Sequence, residues 1–97
     1  MEDLTFGFIG FGLIGGSLAK SIRKHRPQAR ILAYMRSRHK LEQAQADGVV
    51  DEILDGVGEP LRQCDVIILC TPVEYNAGYL EALRPYLKPG ALVTDVG

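Results

Sequence analysis

The sequence predicts an α/β domain, a parallel sheet with helices wound over both faces. Three observations predict it. Apolar strand-like segments alternate along the chain with segments of helical period. The run Val66-Ile67-Ile68-Leu69 is apolar without alternation, as a strand covered on both faces requires. Gly10, Gly12 and Gly15 fall where the first strand-like segment gives way to the first helix-like one. Such a chain winds with right-handed crossovers, the first strand central and the ligand site at the switch point of the strand order.

The elements follow in order. Residues 4–9 form the first strand. Residues 13–25 form a helix, with Ile14, Leu18 and Ile22 on the face expected against the sheet, and Pro27 bars its continuation. Residues 31–35 form the second strand. Ser37 stands where it can cap a helix over residues 38–46, which stops at Gly48. Val49 and Val50 suggest a short third strand. Residues 55–63 read as a loop, with one helical turn that Pro60 can start. Residues 65–70 are the fourth strand, closed by Thr71-Pro72. Residues 74–84 read as a helix with Tyr79, Leu80 and Leu83 inward, ended by Pro85. Pro89-Gly90 turns the chain into a last strand over residues 91–96.

Ninety-seven residues make one domain, and a hydrophobic fraction of 46% with 24% charged residues is that of an ordinary globular protein. No apolar run approaches the ~20 residues of a membrane span. Met1-Glu2-Asp3 is acidic and does not read as the start of a secretory signal. Cys64 and Cys70 match neither a redox nor a zinc spacing and read as small hydrophobes in a reducing cytosol. No metal site is expected. Charge is uneven: eight of eleven Lys and Arg residues lie between Lys20 and Lys40, and no Asp or Glu lies between Leu4 and Leu41. A basic segment beside a glycine turn suits a small polyanion. Nucleic acid is disfavoured, since the pI is about 6.1 and no aromatics interleave the basic residues. Lys20, Arg23 and Lys24 read as a solvated helix face.

The glycines carry the main functional reading. Gly10 makes the tight turn from strand to helix, Gly12 lets phosphates approach the backbone, and Gly15 lets the helix lie close on the strand. Leu13 and Ile14 open the helix, whose first N–H groups and partial positive charge suit a pyrophosphate. This is the dinucleotide-binding, Rossmann-type arrangement. In an NAD site an Asp or Glu about 20 residues past the glycines holds the ribose 2′-hydroxyl. Here Met35 stands 20 residues after Gly15, followed by Arg36, Ser37 and Arg38. An acid would repel a 2′-phosphate, and a guanidinium pairs with it. NADP is therefore favoured over NAD, and FAD is disfavoured. The alternative has Arg36 and Arg38 as solvated charges and Ser37 as a helix cap only.

Gly10-Phe11-Gly12-Leu13-Ile14-Gly15-Gly16-Ser17-Leu18-Ala19 resembles the opening of prephenate and arogenate dehydrogenases, the Gly-Gly-Ser extension being more distinctive than the spaced glycines. Gly48-Val49-Val50-Asp51, Cys70-Thr71-Pro72-Val73 and Thr94-Asp95-Val96-Gly97 resemble further blocks of that family, in order and along essentially the whole chain. The resemblance implies oxidative decarboxylation of prephenate or arogenate in tyrosine biosynthesis. It places Thr71 and Pro72 by the nicotinamide ribose and pyrophosphate. It also implies that residues 1–97 are the nucleotide-binding N-terminal part of a longer enzyme, whose helical C-terminal domain completes the site and forms a homodimer. The family's catalytic His and Arg have no match among the residues here, and neither His25 nor His39 occupies a corresponding position, so no catalytic residue is assigned. Met35 departs from members that place Asp there and use NAD. Competing readings are another NADP oxidoreductase, of the pyrroline-5-carboxylate reductase or β-hydroxyacid dehydrogenase type, and a non-catalytic NADP-binding module.

Overall fold

A computed structural model describes residues 4–96. Met1 to Asp3 and Gly97, the last residue of the Thr94-Asp95-Val96-Gly97 block, lie outside the described residues. Five strands form one sheet: β1 (Thr5–Ile9), β2 (Arg30–Tyr34), β3 (Glu52–Ile53), β4 (Val66–Leu69) and β5 (Leu92–Asp95). The order is β3-β2-β1-β4-β5 and every pairing is parallel. The first strand is central, as the alternation of strands and helices predicts. The helices are α1 (Gly12–His25), α2 (Arg38–Ala46) and α3 (Val73–Leu83), with 3₁₀ turns at Glu59–Gln63 and Arg84–Tyr86.

Side chains alternate across the sheet. Phe6, Phe8, Ile31, Ala33 and Ile68 join one core, against which Leu18 and Ile22 of α1 and Ala44 of α2 pack. Ile9, Leu32, Ile67 and Leu69 join the other, with Leu61, Cys64 and Leu83 buried and Tyr79 partly buried against it. Helices therefore cover both faces, which is why β4 is apolar throughout.

Three expectations are corrected. Ile14 does not face the sheet but is 58% exposed, and the buried residues of α1 are Gly15 and Ala19. A Cβ on Gly15 would stand 3.1 Å from Cys70 Sγ. The helix lies so close that only a small row fits beneath it, and Ile14 is turned out. Leu80 is 43% exposed, because the inward stripe of α3 is Asn76, Tyr79 and Leu83. Val49 and Val50 are buried but not in a strand. Both amides donate back to the Ala44 carbonyl, at 3.0 and 3.3 Å, so they close α2, and pairing with β2 begins only at Asp51.

Candidate functional site

Strand register builds the site. Ile9 pairs with Tyr34 on one side and Leu69 on the other, so three chains leave the sheet along one carboxyl edge. The Gly10 amide donates to Tyr34 O at 2.7 Å, and the Cys70 amide to Ile9 O at 2.8 Å. The glycine turn, the residues after β2 and the residues after β4 therefore converge where strand order reverses.

Gly10 has φ +80° and Gly12 φ +53°, a region open to glycine at little cost. The two differ in surroundings. A Cβ on Gly10 would lie 2.8 Å from Thr71 Cγ2 and 2.9 Å from the Cys70 carbonyl oxygen. A Cβ on Gly12 would meet no atom within 4 Å. Gly10 is thus a packing requirement, and Gly12 borders open space. Phe11, between them, turns inward and packs edge-on against Phe8, with centroids 5.6 Å apart at 76°. Among the described residues, no side chain from elsewhere in the fold fills the notch above Gly12. The amino end of α1 has no side-chain cap and no acidic residue in its first turn. Its N–H groups are left for an anion or water.

A cavity of about 400 Å³ lies over this edge. Of the residues singled out from sequence, Gly10, Gly12, Arg36, Ser37, Thr71 and Pro72 line it together. Leu13 and Ile14 line a neighbouring cleft of about 350 Å³ that shares Gly12 and Thr71 with the first and reaches Val96. Gly15 is buried beneath, against Cys70. Arg38 is drawn aside: its guanidinium pairs with Asp55 at 2.9 Å and Glu42 at 3.9 Å. Arg36 lines the cavity, exposed. Ser37 is the N-cap residue of α2 but makes no capping bond with its side chain. At the shared wall, burial pushes the Cys70 thiol up to about 11, so that side chain is neutral. The two adjoining clefts share Gly12 and Thr71, the first carrying Arg36 beside β2 and the second lined by Leu13, Ile14 and Val96 toward β5.

Met35 lines the cavity at the position where an NAD site carries its acid, while Tyr34 and Tyr75 are lining residues that sequence reasoning does not single out, and Tyr79, expected as core, lines it too. The four-residue spacing of Tyr75 and Tyr79 was the available signal, since it puts both on one side of α3. Sequence reasoning also passes over Asn76, whose buried side chain holds the Thr71 hydroxyl. Among the described residues no helix is long and apolar enough to cross a membrane.

A family model described as prephenate dehydrogenase, nucleotide-binding domain, matches residues 18–97. A prephenate dehydrogenase of Bacillus subtilis is 36% identical over 98 residues, covering 100% of this chain and 26% of its own length. An arogenate dehydrogenase structure from Synechocystis superposes with a TM-score of 0.86 at 35% identity, over 97% of this chain and 33% of that one. A prephenate dehydrogenase from Aquifex aeolicus, solved with hydroxyphenyl propionate and NAD+, gives a TM-score of 0.87 at 26% identity, over 98% and 34%. The chain thus spans about a third or less of these relatives.

Proposed function

The chain belongs to the prephenate dehydrogenase family and matches its nucleotide-binding domain; from that membership we propose that it holds NADP at the carboxyl edge of its sheet, within an enzyme that oxidatively decarboxylates prephenate or arogenate for tyrosine biosynthesis. The observation that carries the nucleotide reading is the space above Gly12, where a methyl group would meet no described atom beyond its chain neighbours and its own helix backbone. Gly10, Gly12, Leu13 and Ile14 present the diphosphate site, and Gly15 seats the helix behind it. Arg36 and Ser37 take the 2′-phosphate, with Arg38 adding charge at longer range because Asp55 and Glu42 hold it. Thr71 and Pro72 lie on the far side of the glycine turn, toward the nicotinamide half. When bound, the nicotinamide supplies the hydride acceptor for a reaction in which carbon dioxide leaves and the ring becomes aromatic.

NADP is proposed over NAD because Met35 cannot accept from a ribose hydroxyl as an acid does, and Arg36 favours the extra phosphate. The Aquifex relative was solved with NAD+, so the preference proposed here rests on these two residues. Catalytic groups, a helical second domain and the homodimer contact belong to segments outside this chain, and the enzyme works in the cytoplasm. Two measurements test the proposal. Calorimetric titration should give tighter binding of NADP than of NAD; equal or reversed affinities sink the preference. The full-length protein should reduce NADP with prephenate or arogenate. Absence of turnover with both substrates and both cofactors removes the dehydrogenase reading and leaves a nucleotide-binding module.

A further inference from the structure

Asn76 is a buried polar side chain on the inward stripe of α3, where an apolar residue would bury without loss. It is only 7% exposed. Its Nδ2 is buried with no hydrogen-bond partner among the described residues, so no core group accounts for an amide at this position. Among the described residues its one side-chain bond is to the loop after β4: the Thr71 hydroxyl donates to Asn76 Oδ1 at 2.7 Å. The other branch of Thr71, its methyl, packs over the glycine turn at a distance that excludes a Cβ from Gly10. Both branches of Thr71 are therefore held, one by Gly10 and one by Asn76.

We propose that Asn76 is a positioning residue that fixes the Thr71 hydroxyl as a hydrogen-bond acceptor at the junction of the two clefts, so that it takes a ribose hydroxyl on the distal side of the diphosphate. This rests on the dinucleotide reading. A hydroxyl has one hydrogen and two lone pairs, and Asn76 takes the hydrogen. What Thr71 offers a ligand is then acceptance alone. A phosphate oxygen has nothing to donate, and a sugar hydroxyl does. Thr71 lines both cavities, and it follows β4, on the opposite side of β1 from Arg36 and Ser37. The sugar it meets is thus the one beyond the diphosphate, not the adenosine ribose beside β2.

The test compares 2′-phospho-ADP with 2′-phospho-ADP-ribose, which adds that sugar and removes one terminal phosphate charge, by calorimetry on the whole protein. The unmodified protein should bind the second about fivefold more tightly, the weight of one hydrogen bond. N76L should abolish the preference while leaving 2′-phospho-ADP binding within about twofold; T71V should abolish it too, and the double variant should lose nothing beyond T71V. N76D, measured at pH 8, keeps an acceptor and should keep the preference. If N76L does not fold, T71V and N76D decide alone. Retention of the preference in T71V or folded N76L overturns the proposal. So does its loss in N76D, or equal weakening of both probes in N76L, which marks a purely structural role. Equal binding of both probes by the unmodified protein overturns the proposal alone; no binding of either removes the dinucleotide reading beneath it.

Discussion

Gly10 and Gly12 both hold positive φ, yet the same substitution should do different things to them. Gly10→Ala drives a methyl against the Cys70 carbonyl and Thr71; a loss of about 2–4 kcal/mol is expected in denaturant unfolding, combining overpacking with left-handed strain. Gly12→Ala meets no atom and should cost only about 1–2 kcal/mol. Its methyl would nevertheless enter the space proposed for the diphosphate, and nucleotide affinity should fall at least about tenfold, a loss of ~1.4 kcal/mol. At the cationic end, Arg36→Gln should weaken NADP by about 10- to 100-fold, the range of one charge-assisted contact, and leave NAD nearly unchanged. Arg38→Gln should do much less, because its charge is already shared with Asp55 and Glu42. Calorimetry with both cofactors reads each of these.

Single side chains also join the elements. Arg23 is the clearest case. Its guanidinium donates to Pro27 O at 2.9 Å, Ala29 O at 2.6 Å and Val49 O at 3.2 Å, and pairs with Asp51 at 2.6 Å. The same Asp51 oxygen accepts from the Ile31 amide at 2.7 Å. One residue thus ties α1 to the entry of β2 and to the turn after α2. Arg23→Met should lower stability by about 2–3 kcal/mol, less than a fully buried pair because Asp51 is 39% exposed; urea unfolding measures it. From sequence Arg23 reads as a solvated charge, since helical spacing shows where a residue sits on its own helix and not what the next strand brings to it. The α2 bounds were legible because Ser37 and Gly48 are local start and stop signals. The third strand was misplaced because Val49 and Val50 are apolar for burial while their amides serve the helix end. The glycine edge was legible because turn geometry is local. The aromatic wall and Asn76 depend on how α3 rotates over the sheet, which no short pattern states.

For the molecule as a whole, pH dependence follows from two kinds of group. Burial pushes Cys64 up to about 12 and Cys70 up to about 11, so both thiols stay protonated in the fold. In the unfolded chain they ionise near pH 8.5. The stability they contribute is complete below that value and is lost as pH rises toward 11–12. Asp65 runs the other way. The hydrogen bond from Lys88, then that from the Thr5 amide, holds its carboxyl below the usual range. That contribution is present above about pH 4 and lost in stronger acid. Urea midpoints against pH should therefore form a plateau from about pH 5 to 8 that falls on both sides, with a shallower acid limb in Asp65→Asn. All of this serves one arrangement, a sheet edge kept open above Gly12. An amide chemical-shift titration of the isotopically labelled protein with NADP tests it most directly. Saturable shifts should concentrate at Gly10 to Ile14, Arg36, Ser37 and Thr71. Shifts centred elsewhere, or none at millimolar NADP, would contradict the account.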